Sequence, residues 1–170
     1  MKKLALTDFA KYRYPSALEL SPDSRYLTFA LKEVDREGDG YRWNLWLYDL
    51  ERRESRQITQ GDDQRKAVWE DNTHILYKTT EPDEALRARG FEEEWTVYHR
   101  LNVCTGEDRE AFRLPMSVSG LWKMDEGRYV FTGETHLDRP NLLELTGEAL
   151  EKELVRRQQT KGYKVLTELP

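Results

Sequence analysis

Leu20-Ser21-Pro22-Asp23-Ser24-Arg25-Tyr26-Leu27-Thr28-Phe29 is the stretch on which the reading of this sequence turns. It runs apolar residue, two spacers, aspartate, turn residue, then a short apolar strand with an aromatic six positions after the aspartate. Val68-Trp69-Glu70-Asp71-Asn72-Thr73-His74-Ile75-Leu76-Tyr77 and Trp122-Lys123-Met124-Asp125-Glu126-Gly127-Arg128-Tyr129-Val130-Phe131 repeat the pattern. Asp23, Asp71 and Asp125 stand 48 and 54 residues apart. An aspartate followed by Ser, Asn or Glu-Gly makes a tight turn, because its carboxylate accepts from nearby backbone amides. Each copy therefore predicts a β-hairpin.

A second hairpin follows each of the first two. Asn44-Leu45-Trp46-Leu47-Tyr48-Asp49-Leu50 turns through Glu51–Glu54 into Ser55–Ile58, and Val97-Tyr98-His99-Arg100-Leu101-Asn102-Val103 turns through Cys104–Glu107 into Asp108–Phe112. Asp49 and Asn102 occupy equivalent places 53 residues apart. Four antiparallel strands every ~40–50 residues is the pattern of propeller blades. Trp43–Leu50 and Tyr26–Leu31 are apolar at nearly every position, as strands covered on both faces are. A β-sandwich of similar strands is the rival, but it gives no reason for a period held over three units.

The expected architecture is all-β, a partial β-propeller of about three four-stranded blades with one short helix near the C-terminus. The units fall at 14–59, 60–114 and 115–146, with a helix and the start of a further strand in 147–170. In the third unit Asn141–Leu145 reads as a third strand. Thr146 or Gly147 opens the helix, Glu148 to Gln159, with Leu150 and Leu154 on one face and Glu148/Lys152 and Glu153/Arg157 at the favourable acid-before-base spacing. Gly162 stops it, and Tyr163–Leu166 reads as a strand. The loop from Glu33 to Arg42 joins strands two and three of the first unit; its counterpart, Glu81 to Glu94, is longer and highly charged.

Composition narrows the function. The 170 residues carry 27 basic and 32 acidic side chains, net charge −5, well mixed along the chain. Nucleic-acid binding needs a clustered basic footprint, so it is not expected. No apolar run reaches the ~20 residues of a membrane span, and the Met1–Asp8 stretch has no signal-peptide core. The single cysteine, Cys104, has no internal partner, which suits a cytoplasmic setting. The hydrophobic fraction is 38%, yet aromatics reach 11%; these bury large areas and can build a core, the five tryptophans by packing blade on blade.

No cofactor, metal or catalytic set is expected. His74, His99 and His136 lie in different units without ligand spacing. Cys104 sits at a turn, and Gly106 and Gly127 are turn glycines rather than parts of a phosphate loop.

The blade opening Leu20–Leu27 resembles that of the N-terminal propeller of the prolyl oligopeptidase family, nearest its acylaminoacyl-peptidase and dipeptidyl-peptidase-like branch. Asn44–Leu50 with Arg56-Gln57-Ile58-Thr59 is similar to the same blade, and Arg139-Pro140-Asn141-Leu142 before a charged helix adds to the likeness. TolB-type propellers share the Ser-Pro-Asp opening. The resemblance implies a large serine peptidase whose propeller covers a C-terminal α/β-hydrolase domain and admits only short peptides. That domain carries its nucleophile in a Gly-x-Ser-x-Gly elbow. This chain has none: Ser117-Val118-Ser119-Gly120 lacks the first glycine. An order of Ser119, Asp125 and His136 exists, but 17 residues cannot build a hydrolase sheet. The chain is thus expected to be a non-catalytic segment that gates access to a hydrolase domain outside it. The alternative is a TolB-like or WD-repeat-like protein-interaction module.

Resemblance to the dipeptidyl-peptidase branch implies that Glu92 and Glu93, in the long second loop, touch the free ammonium of a peptide substrate, whereas the acylaminoacyl branch, whose substrates have blocked termini, needs no such pair; a solvated acidic loop is the plainer reading, since charge runs are usually exposed. Expected partners are the hydrolase domain and its peptides. Self-association is expected too, because end blades leave apolar faces open.

Overall fold

The computed structural model describes residues 8, 11–35, 38, 40–125, 127–135 and 138–160. Blade 1 is a four-stranded antiparallel meander of β1 (Tyr14–Leu20), β2 (Tyr26–Asp35), β3 (Gly40–Asp49) and β4 (Glu54–Gln57). Blade 2 repeats it with β5 (Ala67–Trp69), β6 (His74–Pro82), β7 (Glu94–Asn102) and β8 (Asp108–Leu114). A third sheet pairs β9 (Ser117–Asp125) with β10 (Arg128–Glu134). The first strands β1, β5 and β9 lie side by side in that order.

The turn aspartates act as their spacing predicts, with one difference. Asp71 accepts from the amides of Thr73 at 2.7 Å and His74 at 2.8 Å, and Asp23 accepts from the Arg25 amide at 3.1 Å. Asp125 instead receives the guanidinium of Arg128, with Nε at 2.7 Å.

Blade 2 spends both of its faces on neighbours. On β6, Ile75 and Tyr77 join Leu101 and Val103 against Ala30, Leu45 and Leu47 of blade 1. Leu76 points the opposite way and joins Tyr98 against Val118 and Leu121 of the third sheet. Successive residues of a strand face opposite sides, so a strand buried on both reads as an unbroken apolar run. Trp69 sits in the first of these interfaces; its Nε1 donates to the carbonyl of Glu19 at 3.1 Å. The other tryptophans do different work. Trp46 stacks on Phe29 (centroids 6.5 Å apart) on the far side of blade 1, and Trp122 is 47% exposed.

Three expectations are corrected. Asn141–Leu145 is not a strand: Leu142–Glu144 forms a 3-10 turn, with the Asn141 side chain accepting from the Leu143 amide at 3.0 Å. Leu142 is buried by helix packing rather than by a sheet, so among the described residues the third sheet has two strands instead of four. The first-unit loop is shorter than Glu33–Arg42, because Glu33 pairs with Arg42 and Val34 with Tyr41 in the β2–β3 ladder. The Glu81–Glu94 loop contains a one-turn helix, α1 (Glu84–Arg87). Asp83 caps it, accepting from the Leu86 amide at 3.0 Å. The C-terminal helix is α2 (Gly147–Thr160), with Leu150 and Leu154 on its packed face as expected. Gly162, the Tyr163–Leu166 strand and His136 lie outside the described residues.

Candidate functional site

β6 and β10 are corresponding strands of their sheets, so the segments that leave them emerge at the same end of the stack. There the two segments meet. Leu86 and Phe91 from the β6–β7 connection pack on Leu142 and Leu154, and an apolar cluster pins α2 beside α1.

Polar groups lock the same contact. Arg157 is the hub, its side chain only 12% exposed. Its Nη1 donates to Glu93 Oε1 at 2.8 Å, its Nε to Glu153 at 3.0 Å, and its Nη2 to the carbonyl of Pro140. One side chain thereby ties the blade 2 loop, the chain after β10 and α2 itself. The Glu153/Arg157 pair read from the sequence forms; the Glu148/Lys152 pair does not, among the described residues. Arg156 also reaches Glu153 at 2.6 Å. Hydrogen bonds from Arg156 first, then Arg157, hold the Glu153 carboxyl down at about 2. Arg89 grips Glu151 with two bonds of 2.6 and 2.7 Å across the same interface. Asn141 fastens the connecting segment by donating to the carbonyl of Pro115, at the β8–β9 junction.

Between these parts opens a cleft of about 710 Å³, bounded by Glu92–Glu94, Pro115–Ser117, Gly133–Thr135, Arg139–Asn141, Leu143 and Arg157. A shallower hollow of about 640 Å³ lies across Glu92, Glu93, Arg139 and Arg157. Glu92 and Glu93 both border the cleft, but their roles differ. Glu93 is bound to Arg157, whereas Glu92 is exposed. Among the described residues Glu92, Glu94, Glu134 and Arg139 form no ion pair, so the free charge of the cleft is mainly negative.

Ser119 and Asp125 each have other partners. The Ser119 hydroxyl donates to the Thr132 carbonyl at 3.2 Å, and Asp125 is engaged by Arg128. At the opposite end a smaller cleft of about 410 Å³ contains Arg25, Tyr26, Arg56 and the exposed Cys104, whose sulfur lies 3.9 Å from the Tyr26 hydroxyl. Burial first, and the Cys104 contact second, raise that hydroxyl above the ordinary tyrosine value. Sequence reasoning placed Cys104 at a turn but not this cleft; the residues that meet there are far apart in sequence.

No helix among the described residues is long and apolar enough to cross a membrane. No protein-family model matches the chain, and no curated protein matches it. Its fold is similar to the β-propeller domain of the Trilobed protease from Pyrococcus furiosus, which has an open velcro topology, at a TM-score of 0.52 and 13% identity. That match covers 72% of this chain and 34% of the other, so the chain spans about a third of the solved domain's length. Pyrococcus horikoshii acylaminoacyl peptidase aligns at a TM-score of 0.40 and 15% identity, over 67% of this chain and 27% of that one. Stacked antiparallel sheets with their first strands side by side, and the likeness to a solved propeller domain, give the fold: this chain is part of a β-propeller.

Proposed function

We propose that this chain is a non-catalytic propeller segment of a serine exo- or oligopeptidase of the prolyl oligopeptidase family. Its work is mechanical: to wall off the active site of an α/β-hydrolase domain carried outside these residues and to admit short peptides. One observation carries the reading. The repeated units stack as propeller sheets, similar to the propeller domain of a protease, while the sequence contains no Gly-x-Ser-x-Gly elbow. The blade opening and the Arg139-Pro140-Asn141-Leu142 segment supply the family resemblance. The setting is cytoplasmic in this reading, consistent with one unpaired cysteine.

Within this reading Glu92 and Glu93 contact the free ammonium of a peptide. Glu92 supplies an open carboxylate and Arg157 holds Glu93 in place beside it. Two experiments test the proposal. A fluorophosphonate probe is expected to label no serine of this chain. The reading frame after Pro170 is expected to encode a Gly-x-Ser-x-Gly elbow followed by Asp and His. A frame that encodes only further blades before its stop would overturn the peptidase assignment.

A further inference from the structure

His74 opens β6 opposite Asn102, its ladder partner at the end of β7, and its ring bonds to side chains from both turns at that end of blade 2. Nδ1 lies 2.9 and 3.1 Å from the two carboxylate oxygens of Asp71 and 3.1 Å from the Thr73 hydroxyl oxygen. That hydroxyl donates to Asp71 at 3.0 Å. An ionised carboxylate only accepts, so Nδ1 carries the hydrogen. On the other side of the ring, Nε2 lies 3.2 Å from the side-chain nitrogen of Asn102. The Asn102 amide is held in that orientation, because its Oδ1 accepts from the backbone amides of Cys104 at 2.9 Å and Thr105 at 3.0 Å. Its NH2 group therefore faces the ring, and a donor there requires a lone pair on Nε2. One form of histidine fits the network: the neutral ring with its hydrogen on Nδ1.

We propose that His74 is a pH-sensitive switch that loosens the seam between blades 1 and 2. A proton on Nε2 sets donor against donor at Asn102, whose side chain must swing away and withdraw Oδ1 from the Cys104 and Thr105 amides. The turn so released carries two contacts to blade 1: the Val103 carbonyl accepts from Arg56, and the Cys104 sulfur lies 3.9 Å from the Tyr26 hydroxyl. Asp71 acts in the opposite sense, because a carboxylate beside the ring favours its charged form. The imidazole thus stands between one partner that favours the second proton and one that opposes it, as a histidine switch requires. The other charged and titratable groups on the surrounding elements have partners of their own. Glu70 of the same turn accepts from Arg100 of β7 and Tyr129 of β10, and its carbonyl accepts from Lys123 of β9. Asp108 of β8 accepts from Tyr77, and Asp125 binds Arg128 at the tip of the third sheet; Glu107 is exposed. The switch lies within blade 2 and its contact with blade 1, so it rests neither on the peptidase reading nor on what covers the ends of the stack.

Nuclear magnetic resonance of the 170-residue chain tests this. Ring nitrogens and backbone amides are followed from about pH 8 to about pH 5, the span in which imidazoles change charge. At the alkaline end the hydrogen of His74 is expected on Nδ1. As the ring takes its second proton, exchange protection of the Cys104 and Thr105 amides, corrected for intrinsic pH dependence, should fall about tenfold, the scale of one net hydrogen bond. Protection of the Leu45 amide in blade 1 should hold, which shows that the fold is intact. His74→Gln offers Asn102 an acceptor that does not titrate, and should keep both turn amides protected throughout. Asn102→Asp still caps the turn and gives the protonated ring a second carboxylate, so the ring should titrate at higher pH than in the wild type and without loss of protection. A hydrogen on Nε2 at the alkaline end, a ring that stays neutral throughout, protection that does not follow the ring, or either variant with the wild-type profile would each overturn the proposal.

Discussion

The Arg157 guanidinium lies 2.8 Å from the carboxylate of Glu93, which precedes it by 64 residues. That pair, with the bonds from the same guanidinium to Glu153 and Pro140, decides whether α2 stays on the blade 2 loop. Arg157→Met keeps the aliphatic bulk but takes from Glu93 its ion-pair partner and from Glu153 one of its two arginines. Hydrogen bonds to charged groups contribute about 1.5–3 kcal/mol, so amides of α2 should exchange about ten- to a hundredfold faster. Amides of β6 should be unaffected. Equal acceleration in both places would show that Arg157 supports the whole fold rather than this contact.

Acid should release the helix in a defined window. Glu153 is held at about 2, below the ordinary glutamate value of 4.5, by Arg156 and Arg157. Glu151 is lowered likewise by Arg89. The folded state favours the ionised carboxylates, so their contribution is complete above pH 4.5 and is lost as the pH falls toward 2. Helical circular dichroism followed through that range should drop, and Glu153→Gln should flatten the drop while weakening α2 protection at neutral pH. A Glu153→Gln chain with the wild-type profile would remove Glu153 from the explanation.

Covered and open faces should respond differently to truncation. Ile75→Ala empties a site with no exposure between blades 1 and 2 and should cost about 2–5 kcal/mol in denaturant unfolding. Val130→Ala, measured under conditions where the chain is monomeric, should stay within about 0.5 kcal/mol of wild type. Similar losses at both positions would mean that the two faces are equally packed.

The indole nitrogens allow a paired comparison. Trp69 Nε1 reaches the Glu19 carbonyl, whereas Trp46 Nε1 is buried with no hydrogen-bond partner among the described residues. A stranded buried donor costs about 1–3 kcal/mol, and Trp46→Phe removes that cost along with the indole. Trp46→Phe should therefore destabilise less than Trp69→Phe by about 1 kcal/mol or more, read from thermal or denaturant melts. The reverse ranking would point to an acceptor for Trp46.

The turn aspartates should also separate. Asp71 has its carboxyl held at about 2; burial acts to raise it, and bonds from Thr73 and His74 outweigh that. Asp71→Ala should cost about 1 kcal/mol, the net worth of a typical hydrogen bond. Asp125→Ala removes only an exposed pair with Arg128 and should cost under about 0.5 kcal/mol. Urea titrations of the two variants give the comparison, and equal losses would contradict it.

The repeat was legible because each unit spells its own turn: an aspartate at a fixed distance from an aromatic strand needs no tertiary knowledge. The unbroken apolar runs read at Tyr26–Leu31 and Trp43–Leu50 belong to blade 1, where blade 2 covers Ala30, Leu45 and Leu47 while Phe29 and Trp46 stack on the other face; the strand covered by a neighbouring sheet on each side is β6 of blade 2. Asn141-Leu142-Leu143 was misread because a short apolar run looks the same in a strand and in a turn that plugs a helix interface. What decided between them was Leu154, thirteen or fewer residues away but folded back onto Leu86 and Phe91. α1 did announce itself through Asp83, a cap placed before Glu84 and Leu86, though the surrounding charge disguised it as plain loop. The cleft was half legible: Glu92 and Glu93 border it, but the engagement of Glu93 by Arg157 depends on a helix docking that no local pattern encodes.

Blade 2 has no side that belongs to solvent alone, and this orders how the molecule comes apart. Among the described residues blade 1 and the third sheet each lean on one neighbouring sheet, so either can peel away while the middle sheet stays intact. When units interact only with those adjacent, stability accrues along the row and is greatest at its centre. The slowest-exchanging amides of the chain should then be those of β6 and β7, and the last cooperative unit to melt should be the sheet that holds them.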